Sequence, residues 1–418
     1  NYPGFNTAEY KNSSIKFSSD VPGIAIFNNT VERSGFQKHI RSKRHTRLVE
    51  LEVEGKKTSL KLTPLEHNVI LDNLQVWVVA GNRIRPPYYH FYKPHDEQTR
   101  IEGSYFKDFK NMAIMLAYYK YDERPSIYYD GVFGESSTTN VARSVQEKWW
   151  DGSREINDHN VNERVENVDD FMTSTNYIED YDLLDEPLKI IYPKLLVVVE
   201  SNYFKLFNKD VAEIVKYLSI FWNAVNLRFT RLSNPRVKVV VTGIIIEQDE
   251  YVLRYIYESR KQADLSKLDT QRLLDNAGNY FSSEDFARDS RDFKNFDATV
   301  TMSKLETGSV GGRAFMAGIC SKKNNAAYIN DDGNFDGIQI AVHELGHLLS
   351  LPHDGEKDAH YCKPTSYRKN VGTIMAPIRR SAERYIWSKC SKKILEKFSW
   401  RRVAECMRYP SRRDKTKN

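Results

Sequence analysis

Cysteine is missing from the first 319 of the 418 residues; the four that occur, Cys320, Cys362, Cys390 and Cys406, all lie in the last hundred. The N-terminal part therefore offers no thiolate to a metal, and four cysteines in the C-terminal part allow three pairings among which sequence alone does not choose. Long hydrophobic runs are missing too. Leu195 to Val199 and Val237 to Ile246 are strand-sized and flanked by charge, well short of the ~18 apolar residues of a membrane span, so no span is expected. Nor is one sign of charge in large excess: the net charge of +6 and pI near 8.8 arise from acidic and basic residues interspersed through most of the length. Without a basic stripe and interleaved aromatics, a nucleic-acid partner is not expected. The chain also begins without the apolar core of a signal peptide, so for a secreted protein the leader is expected to be absent from it already.

What is present is an ordinary globular composition, 40% hydrophobic, 12% aromatic and 28% charged, long enough for two domains with a core each. The sequons at Asn12 and Asn28 are candidate glycosylation sites, although sequons also arise by chance. Together with the even cysteine count they favour a secreted, extracellular setting. Residues 1–44 form a polar, flexible N-terminal segment ending in Arg41-Ser42-Lys43-Arg44. That tetrapeptide has the spacing recognised by furin-type convertases and fits a solvated loop equally well. Residues 47–54 and 59–63 alternate apolar with polar around Gly55-Lys56-Lys57, which predicts a hairpin. Further strand-like pieces at 74–80, 88–92, 111–119 and 126–129 give a mostly β domain over 45–150. Residues 151–187 then hold twelve Asp and Glu against Arg154 and Arg164, which predicts an acidic linker open to proteolysis.

A second domain is expected over 188–409, with a basic tail at 410–418. Lys194 to Glu200 is a continuous apolar run of the kind a strand covered on both faces shows. Apolar residues recur at helical spacing from Val211 to Val225, a second buried strand runs from Val237 to Ile246, a helix is predicted near 270–281 and a strand at 297–303. This order predicts an α/β sandwich with a mixed, mainly parallel sheet. Gly311 to Ile319 reads as a Gly-bounded strand; an exposed edge able to take an added peptide strand and an inner strand with glycine bends both fit.

Three of the ten histidines then fall within eleven residues, His343, His347 and His353, with Glu344 beside the first. Residues four apart on a helix share a face, so His343 and His347 can bind one ion, and Pro352 turns the chain to bring His353 back. A lone histidine on an apolar face is ordinarily structural; three with an interposed carboxylate are not. Three imidazoles with an open fourth position describe one catalytic zinc, which would acidify its water to a pKa of about 7 while Glu344 acts as general base.

His343 to Asp354, followed by Gly372-Thr373-Ile374-Met375-Ala376-Pro377, resembles the metzincin zinc proteases. Asp354 directly after the third histidine is similar to the adamalysin or reprolysin branch, and Trp387-Ser388-Lys389-Cys390-Ser391 looks most like the thrombospondin-repeat ADAM proteases and the venom and salivary enzymes of arthropods. The likeness covers about residues 188–409. It implies an α/β metzincin catalytic domain preceded by a mostly β prodomain, an endopeptidase acting on protein or peptide substrates, the chain's own propeptide as a partner, and a monomer. It also implies Met375 in the Met-turn, Ala376, Pro377 and Ile378 lining the pocket after the cut, and Arg313, Ala314, Phe315, Met316, Ala317 and Gly318 on the substrate-binding edge strand, which runs to Ile319. The implied disulfides are Cys320 with Cys406 and Cys362 with Cys390.

Three departures from the family pattern are informative. Ser350 stands where most metzincins have Gly, which predicts a left-handed residue costing on the order of 1 kcal/mol. At the family's calcium site the first ligand aligns with Lys194 and the last with Tyr409, leaving Asp297, so structural Ca2+ is not expected and Lys194 can take the cation's place. The N-terminal part resembles a reprolysin propeptide only in the 47–63 hairpin and in Tyr128 to Glu135, and it lacks the cysteine such propeptides use to silence zinc. Phe133-Gly134-Glu135 is similar to the acidic switch of astacin propeptides, although a carboxylate in a turn is ordinary. The competing expectation is a latent or non-catalytic binding toxin whose N-terminal domain stays docked over the zinc cleft.

Overall fold

The computed structural model describes residues 47–53, 56–81, 90–94, 104–121, 125–134, 140–146, 182–284, 286, 295–363, 365–366, 371–377 and 384–408. Asn12, Asn28, Glu135, Ile378 and Tyr409 lie outside them, as do the convertase-like tetrapeptide and most of the acidic stretch.

Two sheets organise the described residues. The first is six-stranded and antiparallel, ordered Arg47–Val53, Lys56–Pro64, Ser104–Asp108, Ala113–Tyr121, Pro125–Phe133, Asn140–Gln146. Its alternation serves two cores. Ala113, Met115 and Ala117 face a cluster with Val49, Leu51, Leu60 and Leu62, while Ile114 and Leu116 face the long helix Val211–Phe229 and the main core. Ser104–Asp108 and Asn140–Gln146 were not foreseen from the sequence.

The second sheet has seven strands, ordered Gly312–Ala314, Ala326–Asn330, Ala298–Ser303, Lys194–Val199, Val240–Glu247, Ile70–Gly81, His90–Pro94. The five central strands are parallel to one another and the two outer ones antiparallel to their neighbours. The mainly parallel α/β expectation therefore holds for the C-terminal half. Ala326–Asn330 carried a signal that the sequence reading passed over: a short apolar run between Asn324-Asn325 and Asp331-Asp332-Gly333.

The N-terminal half contributes to both sheets. The 45–150 region builds the six-stranded sheet by itself, and two more of its strands, Ile70–Gly81 and His90–Pro94, extend the C-terminal sheet. Those two strands add to the sheet at the edge opposite Gly312–Ala314. The last residues of the acidic stretch, from Asp182, pack against the C-terminal segment. The Asp182 carboxylate accepts from Arg402 at 2.6 Å, and the Leu184 and Leu188 amides donate to Trp400 and Ser399.

The helix Gly337–Leu348 lies under the sheet with every residue buried, which suits its largely apolar composition. Its N-terminus is anchored by Asp331, whose Oδ1 accepts from the Gly337 amide at 2.8 Å and whose Oδ2 accepts from Tyr203 and Tyr217 hydroxyls at 2.5 and 2.6 Å. Burial pushes the Asp331 carboxyl up despite these donors, and pushes both phenols well above their ordinary range.

Candidate metal centre

The helix Gly337–Leu348 ends in a turn that creates the site. Ser350 has φ +73°, its amide donates to His347 O at 2.9 Å, and the Leu351 amide donates to Gly346 O at 2.9 Å. These paired bonds form a Schellman cap with Ser at the left-handed position usually held by Gly. The cap reverses the chain, Pro352 prevents the helix from resuming, and His353 returns to the two helical histidines.

His343, His347 and His353 converge. The Nε2 atoms of His343 and His347 lie 3.3 and 3.2 Å from that of His353. The far nitrogens are committed elsewhere: Nδ1 of His343 donates to Ile374 O at 2.6 Å and Nδ1 of His347 to Leu351 O at 2.8 Å. Nδ1 of His353 faces the Glu356 carboxylate at 3.5 Å. Protons held on Nδ1 leave the Nε2 lone pairs pointing at one another, an arrangement that repels unless a cation sits between them. Tetrahedral coordination at about 2.0–2.1 Å separates ligand nitrogens by about 3.3–3.4 Å, so the spacing fits zinc. All three rings are buried, at 1 to 3% exposure.

Glu344 is 1% exposed and lies beneath the edge strand. A Cβ built on Gly312 would fall 2.5 Å from its Oε1, so the strand passes close above this carboxylate only because residue 312 has no side chain. Met375 is fully buried in a tight turn closed by the Ala376 amide donating to Thr373 O. A Cβ on Gly346 would meet its Sδ at 2.5 Å, so a second glycine seats this turn against the helix. Ile374 O holds His343, and Met375 O accepts from the Asp354 amide at 2.8 Å. Asp354 also accepts from Ser388 Oγ at 2.6 Å, and Ser388 caps the helix Lys389–Phe398, so one carboxylate ties the third histidine to the methionine turn and the C-terminal helix. Burial pushes the Asp354 carboxyl up, against hydrogen bonds from Ser388 and Thr373.

The expected edge is shorter than the sequence suggested. Only Gly312–Ala314 forms a strand, with Arg313 held to Thr270 and Gln271 at 2.9 and 3.1 Å. Beyond it, Ala317 at φ +55° turns the chain inward, and the amides of Ala317 and Ile319 donate to His347 O and Leu348 O, carbonyls at the end of the histidine helix. Phe315 and Met316 are buried, at 4 and 2% exposure. Ala376 is buried and Pro377 half-buried just after the methionine turn.

Both disulfides join the cysteines that the family likeness implied. Cys320 pairs with Cys406 across a Cα separation of 6.2 Å and Cys362 with Cys390 across 6.1 Å. Near the first, Lys194 Nζ donates to Cys406 O at 2.7 Å and pairs with Asp297 at 3.2 Å.

A donor set spaced for one tetrahedral ion, with a carboxylate left over beside it, defines the class as zinc metallopeptidase. Comparison with known proteins gives the same class. A sequence profile described as metallo-peptidase family M12 (Reprolysin_5) matches residues 193–387. Venom metalloproteinase 3 of Eulophus pennicornis is 33% identical over 384 residues, covering 87% of this chain and 86% of that protein. Venom metalloproteinase 2 of the same organism is 32% identical over 357 residues, 82% of each chain. A protein of Bombyx mori named "A disintegrin and metalloproteinase with thrombospondin motifs like" is 30% identical over 238 residues, 52% of this chain and 33% of that one. The chain belongs to the adamalysin/reprolysin branch of the M12 metallo-peptidases, and it is a zinc metalloendopeptidase.

Proposed function

We propose that the protein is a secreted endopeptidase of the venom-effector kind, with His343, His347 and His353 as zinc ligands and Glu344 as general base. The observation that carries this reading is the convergence of three Nε2 atoms at 3.2–3.3 Å beside a buried carboxylate. Zinc held there supplies Lewis acidity to the scissile carbonyl and lowers the pKa of its water to about 7. The chain's own residues do the rest. The Gly312–Ala314 edge takes the substrate backbone as an added strand, Glu344 accepts the proton of the attacking water and passes it to the leaving amine, and Met375 holds the histidine cradle from beneath. Ala376, Pro377 and Ile378 line the pocket for the residue after the cut. Secretion is supported by the two disulfides and by relatives named venom metalloproteinases. No helix among the described residues is long and apolar enough to cross a membrane.

Lys194 bridging Asp297 and Cys406 O supports the further reading that an ammonium replaces a structural calcium. The 1 to 3% exposure of the histidines and Glu344 favours a second reading, that the full chain is a latent form whose site is closed before processing. A digest of a peptide library by full-length and processed protein, with and without a zinc-selective chelator, tests both. Cleavage that the chelator abolishes and zinc restores is expected, stronger after processing. Cleavage indifferent to the chelator would overturn the zinc reading, and equal cleavage by both forms the latent one.

A further inference from the structure

The N-terminal half does not merely lie against the C-terminal half; it completes its sheet and its core. We propose that residues 47–146 are a permanent strand-donating subunit of the folded protein, one that stays bound after any cut in the acidic stretch between the halves.

The first observation is the strand pairing. Ile70–Gly81 runs parallel to Val240–Glu247, with Val76 opposite Ile244, Trp77 opposite Ile245 and Val79 opposite Glu247. The register is closed at both ends, by the Val241 amide donating to Val69 O at 2.8 Å and the Gln248 amide to Val79 O at 2.9 Å. Without this partner, Val-Val-Thr-Gly-Ile-Ile-Ile-Glu would be an apolar edge with unpaired amides and carbonyls, a ready template for aggregation.

The second observation is independent of the sheet. The helix Val211–Phe229 is buried without a break from Tyr217 to its end. A helix resting on one sheet buries one stripe and shows water the other, so burial all round needs a second cover. The six-stranded N-terminal sheet provides it. Ile114, Leu116 and Val132 join the same core as Ile214, Leu218 and Phe221. Polar groups on the helix are committed to that cover as well. Asn223, 1% exposed, accepts from the Val69 amide at 3.1 Å and donates to Asn68 at 2.8 Å. Ser219 pairs with Tyr105, Lys216 with Asp130, and Arg228 donates to Gly134 O at 3.4 Å. Loss of the N-terminal half would strip these groups of their partners and expose the apolar residues between them.

The donated strand lies five strand spacings from the Gly312–Ala314 edge, about 24 Å at the usual 4.8 Å per strand. Retention of this strand therefore leaves the peptide-adding edge untouched, so opening the site does not require the strand to depart. This inference goes beyond the peptidase reading and does not depend on it, because its test reads association and not cleavage.

In the test, a recognition site for a sequence-specific protease is placed within residues 151–181 of the full chain. The purified protein is cut to completion and passed over a sizing column with light scattering, and hydrogen exchange is read at the amides of residues 240–247. The two fragments are expected to co-elute at the 48.7 kDa of the uncut chain, with those amides protected as before and the fragments parting only in denaturant. Separation of the fragments under native conditions overturns the proposal, as does loss of protection at residues 240–247 while they still co-elute.

Discussion

Replacing Gly312 with Ala should disable the protein without emptying its metal site. The added Cβ would sit 2.5 Å from Glu344 Oε1, 2.5 Å from Ile340 Cγ2 and 2.7 Å from Glu344 Cγ. Packed carbon contacts settle near 3.5–4.0 Å, so about 1 Å must be found. Ile340 is buried in the histidine helix, and the strand is held to Ala326–Asn330, which leaves the Glu344 side chain as the part most able to swing. A misplacement of about 1 Å in a reacting group costs roughly 100-fold, equivalent to about 2.7 kcal/mol of barrier. Overpacking should also lower stability by about 1–3 kcal/mol. The assay is steady-state cleavage of a fluorogenic peptide, with zinc content by elemental mass spectrometry and a thermal melt alongside. Stoichiometric zinc with kcat/KM down about 100-fold, carried mainly by kcat, is the expected result. Activity within about threefold of the parent, with an unchanged melt, would refute the claim that this glycine makes room for the base.

Three further outcomes follow from the same geometry. Lys194→Met leaves Asp297 buried without its cation and should cost about 3 kcal/mol in denaturant unfolding; calcium should raise the melting temperature of Lys194→Glu but not that of the parent, and a calcium response in the parent contradicts the replacement. Ser350→Val, placing a β-branched residue at φ +73°, should destabilise by on the order of 1–2 kcal/mol while Ser350→Gly does not, and equal melts for the two variants would remove the strain argument. Burial first, and then the neighbouring Glu200, raise the Glu247 carboxyl from 4.5 to about 7. Because the folded state holds this proton more tightly than the unfolded chain, stability should fall as pH rises from 4.5 to about 7, by on the order of 3 kcal/mol, and then level off. Glu247→Gln should flatten that slope in melts taken across the range, and an unchanged slope would show that Glu247 is not its source.

The histidine cluster was legible because its chemistry is local. Helical spacing, a capping turn and a proline place all three rings within eleven residues, whereas the left-handed Ser350 was expected from the family pattern, which has Gly there. The Lys194 contact with Asp297 and Cys406 could be anticipated only through the family pattern, since 212 positions separate Lys194 from Cys406. The strand-like piece at 74–80 announced part of Ile70–Gly81 but not its partner, because pairing with Val240–Glu247 is decided by burial across the assembled core and leaves no mark on period. The same limit explains the edge strand. Gly311 to Ile319 has strand-like composition throughout, yet bonds to the C-terminal carbonyls of the histidine helix pull Ala317 and Ile319 out of the sheet after three residues.

The central claim is that this site holds zinc and uses Glu344 to move the proton. The most direct test is Glu344→Gln in the full chain and after processing, with zinc content and peptide cleavage measured on the same sample. The account predicts a stoichiometric zinc ion and cleavage reduced by at least about 100-fold, the lower range of a general base's contribution. Cleavage at the parent rate by the zinc-loaded variant would contradict it.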